Sequence, residues 1–176
     1  TVTVNGQKAT VTSIADNAFK GNTKVTEVVL PTTIEEIGTN AFSGCTSLKK
    51  VDIPKNTETI GKNAFNGCKS LTKANFKGKK VTKIGEGAFA GCKKLSNVTL
   101  PASVTSIGKN AFKGDSKLKK LTIKSKKITS IGKNALKGLP KNCKVYIPKS
   151  LKANAKKKYI KMLKKAGVKA KNIKAK

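Results

Sequence analysis

The chain has 176 residues and a formal charge of +31, from 39 basic residues against 8 acidic ones; every basic residue is lysine, and histidine and tryptophan are absent. Without histidine the usual general base is missing, and without arginine so are the forks with which sequence-specific nucleic-acid readers grip base edges. A composition only 37% hydrophobic and 5% aromatic is lean for one globule, and suffices when short units bury their apolar residues against one another.

The first thirteen residues contain Thr3-Val4-Asn5-Gly6-Gln7-Lys8, which predicts a hairpin whose Asn-Gly pair supplies the positive φ of a type I′ turn. The opening at Thr1 has no basic-then-apolar leader, and no apolar run is long enough to cross a bilayer. We therefore expect a mature or excised piece of something longer.

From residue 14 to Pro148 one phrase recurs. Phe19, Phe42, Phe65, Phe89, Phe112 and Leu136 are spaced by 23, 23, 24, 23 and 24 residues, a period that reads as a solenoid. Two residues after each comes glycine (Gly21, Gly44, Gly67, Gly91, Gly114, Gly138), where positive φ is expected to end a short helical turn. Leu48/Val51/Ile53, Leu71/Ala74/Phe76, Leu95/Val98/Leu100 and Leu118/Leu121/Ile123 then follow the alternation of a strand with one buried face. Each coil is expected to add one strand to a parallel sheet.

Pro31, Pro54, Pro101 and Pro148 follow the strand directly in four copies and stop it. Lys77 and Lys124 take that place in the other two, which also carry a one-residue insertion. Closing pairs such as Ile34/Ile37 and Val81/Ile84 predict a second, shorter parallel sheet, back to back with the first. After Pro148 the period changes. Ser150 is a candidate N-cap, and Leu151, Ala155, Tyr159, Met162, Leu163 and Ala166 recur at helical spacing before Gly167. We read residues 149–176 as a helix capping the open core, followed by a basic tail from Val168 expected to fray, with Val168 and Ile173 able to tuck under the last coil. The lysine face of that helix also admits a membrane-surface role.

The phrase IGxxAFxGCxxLxxVxLP, over about Val11 to Pro148, resembles the BspA-like, or treponemal-type, leucine-rich repeat of bacterial cell-surface and secreted proteins. The departures are Asn22 and Asp115 where cysteine is usual, and Leu136 where an aromatic is usual. The resemblance implies a mainly β leucine-rich repeat solenoid, an extracellular or cell-surface location, and a role in adhesion to host proteins or other cells.

Few residues invite chemistry. Cys45, Cys68 and Cys92 share one slot and should stack about 5 Å apart. A disulfide or soft-metal site competes there with a column of small buried side chains, and the column is preferred because sulfurs along a line do not converge on one ion. Cys143 falls in another slot. Asn17, Asn40, Asn63, Asn110 and Asn134 form a second ladder, assigned to side-chain amides bonding nearby backbone. The eight carboxylates fall in non-equivalent slots, so neither catalysis, nor a cofactor, nor a small-molecule substrate is expected.

If the long strands line the concave wall, their outward residues form parallel columns. One reads Val29, Asp52, Asn75, Thr99, Thr122, Tyr146; the next Glu27, Lys50, Lys73, Asn97, Lys120, Lys144; the third Thr26, Lys49, Thr72, Ser96, Lys119. The candidate binding residues are Lys49, Lys50, Asp52, Lys73, Asn75, Asn97, Thr99, Lys119, Lys120, Thr122, Lys144 and Tyr146. Their partner would be a protein ligand or an anionic surface polymer rather than a specific nucleic-acid sequence; the competing readings are a plain wall whose polar residues only keep the sheet soluble, and a structural spacer of a larger surface protein. Elsewhere the lysines read as a solvated coat whose self-repulsion keeps the chain monomeric.

Overall fold

The computed structural model describes residues 2–4 and 7–176, with side chains from residue 10 onward. At the start, β1 (Val2–Val4) and β2 (Gln7–Ala9) pair antiparallel with Val2 opposite Ala9; the Asn5-Gly6 turn lies outside the described residues.

Two parallel sheets follow. The first is built from two-residue strands, β3 (Ser13–Ile14), β4 (Glu36–Ile37), β6 (Thr59–Ile60), β8 (Lys83–Ile84), β10 (Ser106–Ile107) and β12 (Ser130–Ile131). The second is built from longer strands, β5 (Lys50–Ile53), β7 (Lys73–Phe76), β9 (Asn97–Leu100), β11 (Lys120–Ile123), β13 (Lys144–Ile147) and β14 (Ile173–Ala175). In both, sequence order is spatial order, the signature of a solenoid in which each coil touches only its neighbours. Between the sheets runs one apolar column per slot. Phe19, Phe42, Phe65, Phe89 and Phe112 stack with centroids 5.0 to 5.4 Å apart and planes within 9° of parallel. The inner four are fully buried, each worth about 1.5–3 kcal/mol of burial.

The turn before each long strand is not a helix. Asn17, Asn40, Asn63, Asn110 and Asn134 have φ of 53 to 59°, and Gly87 fills the same slot at 60°. With a second positive φ at the glycine after the aromatic, 74° at Gly44, right-handed winding is interrupted twice per coil. Amides released by the interruption reach the next coil instead: Asn63, Phe65 and Gly67 N–H donate to Glu86, Ala88 and Ala90 carbonyls at 2.7, 2.7 and 2.8 Å. A third hydrogen-bonded wall thus joins the coils. The asparagine ladder accordingly exists for its left-handed backbone, which asparagine tolerates best after glycine. Side-chain bonding is not what unites it; its one rung is Asn40 Nδ2 donating to Asn17 Oδ1 at 3.1 Å.

Both ends depart from expectation. In the first coil the long strand is reduced to a single bridge, Glu27 with Lys50, and Val29 is 90% exposed. At the far end α1 (Ala153–Lys165) begins after Lys152, without a side-chain cap, so Ser150 does not cap it. Gly167, at φ 107°, ends the helix, with Val168 N–H donating back to Leu163 O at 3.0 Å, the six-to-one bond of a Schellman turn. Tyr159 and Leu163 are buried against the last coils, and Leu136 N–H donates to Ala166 O at 2.9 Å. The helix end thereby supplies the acceptor that a seventh coil would have given. Nor does the tail fray. Asn172 is buried, its Nδ2 donating to Lys141 O at 2.9 Å, and β14 pairs in parallel with β13, Val145 opposite Ile173. Exposed strand-edge amides of β13 gain partners this way, which outweighs the chain entropy of nine residues with only two apolar anchors.

Candidate functional site

The columns of the long-strand wall are in register. Glu27, Lys50, Lys73, Asn97, Lys120 and Lys144 are successive partners across the sheet, and Asp52 lies opposite Asn75 as Thr122 lies opposite Thr99 and Tyr146. Lys49, Thr72, Ser96, Lys119 and Lys144 are joined by backbone bonds from coil to coil, at 2.8 to 3.4 Å. All twelve candidate residues are half-buried or exposed. Alternate residues of the same strands, such as Val51, Val98, Leu121 and Val145, point into the core.

One seam of the wall is incomplete. Between β7 and β9 only Lys73 and Asn97 remain paired, so Asn75 and Thr99 do not continue their column. The insertion after β7 lies at this seam, and Phe76 is half-buried, tilted 59° to the Phe89 ring at 6.5 Å.

Charge is distributed unevenly. Among the described residues the ion pairs are Lys50 Nζ and Lys77 Nζ on Asp52 Oδ2, at 3.2 and 3.3 Å. Asn75 Nδ2 donates to Asp52 Oδ1 at 2.7 Å, and this bond, followed by the two ammonium groups, holds the carboxyl below its ordinary range. At the other end the lysines meet a ring: Lys120 Nζ lies 5.5 Å and Lys176 Nζ 6.0 Å from the Tyr146 centroid, within cation–π range. Lys120 belongs to β11, on one side of β13, and Lys176 directly follows β14, on the other. Lys77 and Lys176 were not among the expected residues. Lys77 was marked in the sequence by replacing a proline, whereas Lys176 reaches the wall only because the tail pairs as a strand.

The cysteine column is present, and all four thiols are free and buried. Cys45, Cys68 and Cys92 Sγ donate to the Phe19, Phe42 and Phe65 carbonyls at 3.0, 3.2 and 3.3 Å. Burial raises each thiol, Cys68 to about 12 and Cys143 to about 11, the opposite of what a reactive nucleophile needs. In the fifth coil this slot holds Asp115, fully buried. Its Oδ1 accepts Cys92 N–H at 2.9 Å, Oδ2 lacks a protein partner, and desolvation pushes the carboxyl up to about 8.

No helix among the described residues is long and apolar enough to cross a membrane. No curated protein matches the sequence. Among solved structures, the chain is 32% identical to a leucine-rich cell surface protein of Faecalibacterium prausnitzii, with a TM-score of 0.69 over 85% of this chain and 40% of that one. A leucine-rich repeat protein of Bacteroides ovatus gives 27% identity and a TM-score of 0.61 over 85% and 50%, so this chain spans half or less of the length of these two proteins. The T. pallidum leucine-rich repeat protein gives 27% and 0.64 over 94% and 80%. The pneumococcal vaccine antigen PcpA, at 21% identity and a TM-score of 0.64 over 89% and 42%, shares the fold. The model of the BspA-type leucine-rich repeat region matches residues 12–143 and 78–162, with six copies. With sequence model, coil geometry and structural neighbours in agreement, the chain belongs to the BspA-type leucine-rich repeat family.

Proposed function

We propose that this chain is a non-catalytic interaction module of a cell-surface or secreted protein, and that its partner docks on the long-strand wall. The observation that carries this reading is the outward polar column running in register from Glu27 to Lys144, flanked by shorter ones, an extended face of the kind that solenoids use for binding. The titratable groups support it: the raised thiols and Asp115 are sealed in the core, and Asp52 is occupied by Asn75 and two lysines. A cell-surface setting is supported by the likeness to the F. prausnitzii leucine-rich cell surface protein.

The experiment is binding to immobilised host-matrix proteins and to a sulfated polysaccharide at physiological and raised salt, beside a variant with Lys49, Lys50, Lys119 and Lys120 replaced by serine. Saturable binding to one protein that survives raised salt and is lost in the variant supports the protein-docking reading. A second reading, capture of an anionic polymer, is favoured by the uncompensated lysines at the C-terminal end of the wall. It is the outcome if binding follows charge and disappears with salt.

A further inference from the structure

Three hollows lie along the C-terminal ends of the long strands. The first, about 450 Å³, abuts Pro54 and opens between Lys50, Lys55 and Lys77. The second, about 560 Å³, abuts Pro101 and is lined by Lys77, Lys79, Asn97 and Lys124. The third, about 360 Å³, abuts Pro148 and is lined by Lys120, Lys124, Tyr146 and Lys176. Neighbouring hollows share their sides: Lys77 belongs to the first and second, Thr99 and Lys124 to the second and third. Together they make one trough that crosses the coils.

The shared lysines are the two that replace the strand-stopping proline. A proline there offers no cation, whereas Lys77 and Lys124 place an ammonium-bearing chain on the trough two coils apart, roughly 10 Å at the spacing of parallel strands. Lysine can also donate its backbone amide, and both do, to Ile53 O at 3.0 Å and Leu100 O at 3.1 Å.

Carboxylates line only the first hollow, as Glu27 and Asp52, and Asp52 already holds Lys50 and Lys77. From the second hollow onward every charged lining group is a lysine. Two of them share the Tyr146 ring, an arrangement of like charges that an anion between them would relieve. Hydroxyl and amide groups of Thr99, Thr122 and Asn97 lie between the cations.

We infer that this trough is the binding channel for a linear acidic polysaccharide, whose sulfate or carboxylate groups meet the lysines while a sugar face meets Tyr146. The inference rests on the anionic-polymer reading of the wall. A nucleic acid fits less well: its bases call for a series of stacking platforms, whereas the trough offers two separated rings, Phe76 in the second hollow, tilted onto Phe89, and Tyr146 in the third.

The test is calorimetric titration of the whole chain with heparin oligosaccharides, hyaluronan oligosaccharides and a single-stranded oligothymidylate, over a series of salt concentrations. The sulfated and carboxylated arms tell the two anion sources apart, and binding in either supports the channel. Replacing Lys124 and Lys176 by serine is expected to weaken glycan binding at least tenfold and to lower the slope of log K against log salt by about one per lysine. Replacing Lys49 and Lys119, which lie off the trough, should cost less than threefold. Tyr146→Ala should weaken binding with the slope unchanged and Tyr146→Phe should restore it, while Asp52→Asn should tighten it. Equal losses from the trough and off-trough pairs would leave the anionic-polymer reading standing and overturn the channel. Absence of binding to any polyanion at low salt would overturn both. Tighter binding of the oligothymidylate through the same lysines would overturn the assignment to a glycan.

Discussion

Asp115→Asn offers a sharp test of how the core is built. In the cysteine slot a thiol donates to a carbonyl of the preceding coil, and a neutral carboxyl is the form of Asp115 that can do likewise. Burial pushes this group from 3.8 up to about 8, tempered by the Cys92 and Gly91 amides. The folded chain therefore keeps a proton that the unfolded chain releases. Stability from this site is fully present below about pH 3.8 and is lost as pH rises through about 8, at about 1.4 kcal/mol per pH unit in between. At pH 7 the loss amounts to roughly 4 kcal/mol, a large part of the stability of a chain this size. Asp115→Asn keeps the oxygen that accepts Cys92 N–H and never ionises. Urea unfolding followed by circular dichroism should find the variant close to wild type near pH 4 and increasingly the more stable toward pH 8, with unchanged m-values. Comparing the two proteins at each pH cancels the titration of the surface carboxylates. Parallel stability profiles from pH 4 to 8 would show that Asp115 is not held neutral, and the argument would fail.

Other outcomes follow from the same packing. Phe65→Ala, at the middle of the ring stack, should cost about 3–5 kcal/mol in the same urea assay; a cost under 1 kcal/mol would deny the stack its structural weight. Asn63→Gly should be close to neutral whereas Asn63→Ala should cost about 1 kcal/mol, because only the backbone conformation is at stake; equal costs would return the ladder to its side chains. Tyr159→Phe removes a hydroxyl that accepts Ile128 N–H at 2.9 Å and donates to Ser125 O at 2.6 Å, leaving a buried amide and carbonyl unpaired at about 1–3 kcal/mol. Thermal unfolding should show that loss. Thiol reagents at pH 8 should label Cys68 and Cys92 only as the chain unfolds; rapid native labelling would place them outside the core.

Much of this architecture is legible in the residues because a solenoid repeats each of its constraints six times. Aromatic, glycine and proline landmarks located the walls, and the alternation in Leu48-x-x-Val51-x-Ile53 separated core from surface. The columns on the long-strand wall followed from the period. What was missed has local causes. The glycine after five of the six short-strand isoleucines shows only as a motif letter in sequence, yet a Cβ on Gly61 would fall 2.7 Å from the Gly38 carbonyl carbon, so close approach of coils, not positive φ, requires it. The tail strand Ile173–Ala175 carries too few residues to show an alternation, and its partner lies in space rather than in the period. Lys176 joined the wall through that strand. The broken ladder between β7 and β9 depends on where one inserted residue is accommodated, which spacing alone does not decide: the similar insertion near Lys124 leaves β11 and β13 paired, with Tyr159 bonded to Ser125 beside it.

The backbone bonds from the asparagine, aromatic and glycine slots of the turn wall point one way, from the amides of each coil to the carbonyls of the next. The array is consequently a polar filament in miniature, with a plus end that needs acceptors and a minus end that needs donors. Helix α1 serves the first kind of end and, through the Ala166 carbonyl, could not serve the second. Shortening or lengthening by whole coils preserves this polarity, and two such arrays can be joined along the turn wall head to tail but not head to head.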